Sequence, residues 1–150
     1  MKWGATGYGN GELNLPTGVA LDSRGNVHAA DTYNSRVQEF APDGTFHAKW
    51  GTYGKAEGQL NCPQGLALDA AGNVYVADTG NNRIQKFAPD GTLLAQWARR
   101  GTGKGEFWLP CGIAVDGMGM GMGMGMGKVY VADTINNRVQ VFRPRAEREL

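Results

Sequence analysis

The chain has 150 residues, 15 Lys+Arg against 14 Asp+Glu and a formal charge of +1, which excludes the strong charge signature of a dedicated polyanion binder. Its length supports one domain with a real core. No apolar run approaches the roughly 18 residues of a membrane span, and Met1-Lys-Trp-Gly-Ala-Thr-Gly lacks the apolar region of a signal peptide, so no membrane association is expected and the cytoplasm is the default location.

The 24 glycines punctuate short runs of strand-forming residues, which points to an all-β protein. Trp3, Trp50 and Trp97 are 47 residues apart, as are Pro16, Pro63 and Pro110. Asp78 follows Asp31 at the same interval, whereas Asp133 follows Asp78 by 55, and the excess lies in the Met-Gly run between Gly117 and Gly127. A period of this size lies near that of four-stranded propeller blades. The run itself reads as an expanded surface loop.

Each unit opens with a Gly-rich loop ending in Gly11-Glu-Leu13, Gly58-Gln-Leu60 or Gly105-Glu-Phe107. A Pro-x-Gly step leads into a first strand, a: Gly18-Val-Ala-Leu-Asp22, Gly65-Leu-Ala-Leu-Asp69 and Gly112-Ile-Ala-Val-Asp116. Its Gly and Ala suit a crowded innermost position. A short turn with Gly25 or Gly72 precedes strand b, as in Val74-Tyr-Val-Ala77, whose continuous apolar character predicts burial on both faces. The b–c turn is Asp-Thr-x-Asn-x-Arg, rich in residues that bond to nearby amides. Strand c follows, as in Arg83-Ile-Gln-Lys-Phe87, then a Pro-Asp-Gly turn at Pro42 and Pro89, then strand d ending at Trp50 or Trp97. Three blades are expected, at about 16–50, 63–97 and 110–146, the last lacking its outer strand. Met1-Lys2-Trp3 reads as the end of a strand d with no blade before it.

Pro-x-Gly-(Val/Leu/Ile)-Ala-(Leu/Val)-Asp, followed by Asn-Val-x-(Val/Ala)-Ala-Asp-Thr-x-Asn-x-Arg-(Val/Ile)-Gln-x-Phe, resembles the NHL repeat in three copies over nearly the whole chain. The resemblance implies a β-propeller, commonly of six blades, of which this chain holds half. It also implies that enzymes of similar type, such as peptidyl-hydroxyglycine lyases, bind zinc through histidines inside the ring, and that some animal NHL domains bind RNA on one face.

Residues shared by every unit are expected to serve every unit, so Asp31, Arg36, Asp78, Arg83, Asp133 and Arg138 are assigned to the frame. His28 and His47 break the repeat but lie in different strands, at the places of Tyr75 and Leu94, and are not expected to converge. No metal site, cofactor or catalytic residue is therefore expected. Cys62 and Cys111 occupy different repeat positions and read as free thiols beside the repeated prolines.

The expected function is that of a non-catalytic scaffold for a protein or peptide, bound on the face of the b–c and d–a loops by residues that differ between units. These are Tyr33, Gly80 and Ile135 in the b–c turns, Thr17, Gln64 and Cys111 beside the prolines, and Arg99, Arg100, Phe107 and Trp108 on the same rim. The alternatives are an enzyme of lyase or lactonase-like propeller type, and single-stranded RNA binding through the basic and aromatic residues of the loop entering unit three. Half a ring leaves two faces bare, exposing some of the apolar surface of the blade residues Val27, Val37, Val129 and Val139, so a homodimer completing six blades is expected, with Met1–Trp3 beside strand c of the partner's third blade around Val139.

Overall fold

A computed structural model describes residues 1–116 and 127–143. The Met-Gly run, apart from Gly127, and the tail after Arg143 lie outside the described residues, so the proposed outer loop and the outer strand of unit three are not part of this description. The protein is all-β, built as three propeller blades.

Two short strands, β1 (Ala5–Thr6) and β2 (Glu12–Leu13), pair in parallel and pinch the first Gly-rich loop. Blade one is β3 (Gly18–Leu21), β4 (Val27–Asp31), β5 (Arg36–Phe40) and β6 (Phe46–Trp50), each antiparallel to its neighbour. Blade two repeats the order with β7 (Leu66–Leu68), β8 (Val74–Asp78), β9 (Arg83–Phe87) and β10 (Leu93–Trp97). Blade three has β11 (Pro110–Val115), β12 (Val129–Asp133) and β13 (Arg138–Phe142) among the described residues.

Alternation along each strand sends successive side chains to opposite neighbours. Val74 and Val76 of β8 join Ala30 and Val37 of blade one, with Leu60, Leu66 and Phe87, in one buried cluster. Tyr75 and Ala77 of the same strand join Val129, Val131 and Phe107 in the next. Strand b of blade two is therefore buried on both faces, as its unbroken apolar run requires. Fully burying each such Val, Leu or Phe contributes about 1.5–3 kcal/mol, so the contacts between blades dominate the packing.

The innermost strands approach one another closely. A side chain at Gly18 would strike the carbonyl of Gln64, and one at Gly65 the carbonyl of Cys111. Only glycine fits there. The closing Trp of each unit packs over the Phe that ends strand c of the next. Trp50 stands 6.3 Å from Phe87 and Trp97 6.4 Å from Phe142. Trp3 takes the same place, 4.6 Å from Phe40, which is fully buried.

The two bare faces expected from the half ring are not where the valines had suggested. Val37 and Val129 are fully buried between blades, and Val27 is half-buried. The exposed residues are Val19 (70%) and Leu21 on the first face, and Val139 (64%) and Val141 on the last. The reason is alternation: β5 turns Val37 toward blade two, while the equivalent Val139 faces past the final blade.

Candidate ligand-binding rim

The rim is built on the Asp-Thr-x-Asn-x-Arg turn. Thr32–Asn34 and Thr79–Asn81 each form one 3-10 turn, followed by Ser35 or Asn82 in the left-handed region. Asn137 has the same conformation in unit three. The residue just before the arginine thus takes the strained φ, while the fixed asparagine does something else. Asn81 donates to both oxygens of Asp78 and to the carbonyl of Gly54 in the loop entering its own unit.

Asp78 is fully buried and is the hub. Its Oδ1 accepts the amide of Asn61 at 2.7 Å, and its Oδ2 accepts Arg83 Nε at 2.7 Å and Gln85 Nε2 at 3.1 Å. The Arg83 guanidinium continues outward and donates to the carbonyls of Lys55, Ala56 and Gln59. One buried ion pair therefore clamps the d–a loop to the b–c turn. Asp31 with Arg36 and Asp133 with Arg138 do the same, with Nε to Oδ2 distances of 2.6 and 2.7 Å. Burial pushes the Asp133 carboxyl up, but the hydrogen bonds from Trp108, Asn136, Arg138 and Gln140 outweigh it and hold it below its usual 3.8.

The clamp brings the two variable loops side by side. Tyr33 N donates to Asn14 O, Gly80 N to Asn61 O and Ile135 N to Trp108 O, at 2.9–3.1 Å. Tyr33 (61% exposed) and Ile135 project from this seam. Arg100 lies over the Trp108 ring at 4.8 Å, a cation–π contact between an exposed guanidinium and a half-buried indole. Arg99 is exposed but engaged with Glu106 at 2.9 Å.

Other expected contact residues are placed differently. Phe107 is fully buried against Phe142 and belongs to the core, because its repeat position is that of Leu60, also fully buried. Gly80 is small because Asn61 fills the space beside it. Thr17 reaches the next blade, bonding Thr32 Oγ1 at 2.7 Å and the Gln64 carbonyl at 3.0 Å. The Gln64 and Cys111 side chains are half-buried, with the Cys111 thiol donating to Leu109 O; both cysteines are free. Tyr8, Tyr53, Leu15 and Leu109 are exposed on the same loops and were missed. Comparing Thr6, Tyr53 and Arg100, which share one repeat position, would have flagged Tyr53.

The histidines also differ from expectation. His28 and His47 lie on different strands, yet both approach Glu39: His47 Nδ1 is 3.7 Å from Glu39 Oε1, and His28 groups with Asp22 and Glu39. Adjacent strands of one sheet bring together what sequence separation had kept apart.

The NHL repeat model matches residues 13–40 and 60–87, the two stretches that carry the clamp of units one and two. Those two stretches are NHL repeats. The chain's third unit keeps the same clamp around Asp133 and Arg138. Over 49 residues, 33% of the chain, it is 43% identical to "E3 ubiquitin-protein ligase TRIM71" of Rattus norvegicus and 47% identical to "Protein lin-41" of Caenorhabditis elegans. It spans only 6% and 4% of the length of those relatives. A structural genomics protein of unknown function from Bacteroides thetaiotaomicron superposes with a TM-score of 0.67 at 19% identity, covering 87% of this chain and 36% of that one. Catalytically inactive virginiamycin B lyase from Staphylococcus aureus with quinupristin does so with a TM-score of 0.57 at 14% identity, covering 87% and 42%. Both likenesses speak to the fold alone. No helix among the described residues is long and apolar enough to cross a membrane.

Proposed function

We infer that this NHL-repeat chain is a non-catalytic scaffold that binds a protein or peptide on the rim. The observation that carries this reading is the contrast at the clamp. The buried Asp–Arg pairs are the same in each unit, while the residues they present differ: Tyr33, Ile135 and Arg100 are exposed, and Arg100 lies over the half-buried Trp108. Exposed aromatic and arginine side chains on a rigid frame are the usual anchors of protein interfaces. RNA binding draws less support, because Arg99 is already paired with Glu106, leaving Arg100 and Lys104 as the cations of that cluster without an acidic partner among the described residues. A propeller enzyme would need a convergent catalytic set on this face, which the clamp does not provide. Peptides selected from a random display library on the purified chain test this. They should lose binding to Tyr33→Ala and Trp108→Ala and keep it with Lys49→Ala on the outer strand. Selected peptides indifferent to the rim variants overturn the assignment.

The working form is a closed ring of six blades, made by two copies of this chain. The last blade lacks what the first two possess. Thr32 Oγ1 donates to the Pro63 carbonyl at 2.8 Å and Thr79 Oγ1 to that of Pro110 at 2.7 Å, each across a blade boundary. Among the described residues, Thr134 bonds only within its own blade, to Ala132 O at 3.5 Å. Pro16 of a second copy would supply the acceptor, and Val19 and Leu21 would cover Val139. In registry with Val37↔Trp50 and Ile84↔Trp97, Trp3 would pair with Val139 while still packing on Phe40. The other source of the remaining blades is a longer polypeptide. Light scattering separates the two: a dispersed dimer supports self-closure, and a soluble monomer at micromolar concentration excludes it.

A further inference from the structure

The end of the sheets opposite the rim carries the a–b and c–d turns, and there blade one departs from its sisters. Each unit closes strand a with an aspartate: Asp22, Asp69 and Asp116. In blade two, Asp69 Oδ1 accepts the amides of Ala71 and Asn73. Its Oδ2 meets the Tyr75 hydroxyl at 3.3 Å and stands 3.8 Å from Lys86 Nζ, which is buried and lies over the Tyr75 ring. The carboxylate there is balanced by an ammonium.

Blade one keeps the aspartate and changes both partners. Asp22 Oδ1 accepts the amides of Arg24 and Asn26, as in blade two. The place of Tyr75 is taken by His28, and that of Lys86 by Glu39. Where blade two holds a cation, blade one holds a second anion. His28 Nε2 is 3.9 Å from Asp22 Oδ2, and one donor atom from each of Asp22, His28 and Glu39 lies within 4.8 Å of the others. His28 is 3% exposed, and its Nδ1 is buried with no hydrogen-bond partner among the described residues. Burial lowers its pKa below 6.5 against the opposing pull of Glu39 and Asp22. A cavity of about 260 Å³ opens onto the group, walled by Ser23, Arg24 and the Ala70–Gly72 turn of blade two.

We propose that Asp22, His28 and Glu39 bind one divalent transition-metal ion of the zinc class, with a further coordination position facing the cavity. Two carboxylates and an imidazole offer one divalent ion a mixed oxygen and nitrogen donor set. The imidazole selects zinc-like ions over calcium and magnesium, which prefer all-oxygen shells. Donors around tetrahedral zinc stand about 3.4 Å apart, so side-chain rotation closes the observed spacing. His47, 44% exposed beside Glu39, and Arg24 are the other cationic or titratable groups facing the cluster. The site is independent of the rim reading.

The test is calorimetric titration of the chelator-treated, reduced full chain with Zn²⁺ alone, with Co²⁺ absorption as a second readout. One equivalent should bind. The repeat supplies a variant that is built to fold: His28→Tyr with Glu39→Lys recreates the arrangement of blade two. It should weaken Zn²⁺ binding by at least about tenfold, the scale on which lost site residues act, and abolish the Co²⁺ bands, with an unchanged circular dichroism spectrum. His47→Ala should retain the stoichiometry. Absence of saturable binding in the parent chain, or equal binding in the double variant, overturns the proposal.

Discussion

Val37 and Val139 are the same residue at the same repeat position, yet one is fully buried and the other 64% exposed. Leu66 and Val19 make a second such pair, at 6% and 70%. Nothing local distinguishes the members of either pair. What differs is whether another blade stands against that face among the described residues: after it for Val37, before it for Leu66. Burial in this fold is a property of the boundary between units, and each unit is written as though a neighbour stood on both sides. Stability should then be concentrated at the two internal boundaries, and association at the two outer faces.

The largest expected effect breaks this comparison directly. Val37→Asp places an unpaired charge in a closed boundary and should cost about 4 kcal/mol or more, enough to unfold the chain in a urea titration. Val139→Asp should change the stability of the isolated chain by no more than about 0.5 kcal/mol. It should, however, turn a dimer in light scattering into a monomer. Equal losses of stability from the two variants would show that the outer face is covered within the chain.

The clamp and the rim give the next contrast. Asp78→Ala strands the Arg83 guanidinium and frees the amide of Asn61, at a cost of about 3 kcal/mol. Ile135→Ala, on the same loops, should be nearly silent in stability and act only on ligand binding. Acid should act on the clamp too. The Asp133 carboxyl is held below 3.8 in the folded chain. The stabilisation it gives is fully present above about pH 4 and is lost as the pH falls through its folded value, because the unfolded chain then binds the proton first. Asp133→Asn should flatten that part of a stability–pH profile. A profile with unchanged slope would remove the ion pair from the frame.

How much of this was legible in the sequence follows the same division. The repeat period, strands a to c and the place of Asp78 and Arg83 in the frame could be read because three copies vote on those positions, and strand d because two do. Phe107 was placed on the rim with its loop neighbours Arg99, Arg100 and Trp108, yet it holds the repeat position of Leu60 and, like it, is fully buried. The Val27, Val37 and Val129 faces were misjudged because a strand's alternation fixes which residues share a face, and not which neighbour that face meets. The Asp22–His28–Glu39 group escaped because it depends on the pairing of His28 with Glu39 across β4 and β5. Aligning the units by strand register, which sets His28 and Glu39 against Tyr75 and Lys86, would have exposed the exchange of a cation for an anion.

The smallest expected effect gives the sharpest form of the comparison, because it turns on a single hydroxyl. Thr79 Oγ1 crosses from blade two to the Pro110 carbonyl at 2.7 Å, in a buried setting. Thr79→Val keeps the shape and removes that donor, leaving a carbonyl unsatisfied, and should cost about 1 kcal/mol. Thr134 is exposed and has no next blade within the described chain to reach, so Thr134→Val should cost the monomer nothing measurable. If a second copy brings Pro16 to this position, the bond forms at the new boundary and its loss appears in the dimer dissociation constant. The expected change is about fivefold for each of the two boundaries in a closed ring. Sedimentation at a series of concentrations measures it. Loss of monomer stability from Thr134→Val, with no effect on association, would mean that the hydroxyl has a partner within the chain beyond the Ala132 carbonyl, and the repeat argument for ring closure through Pro16 would fail at that contact.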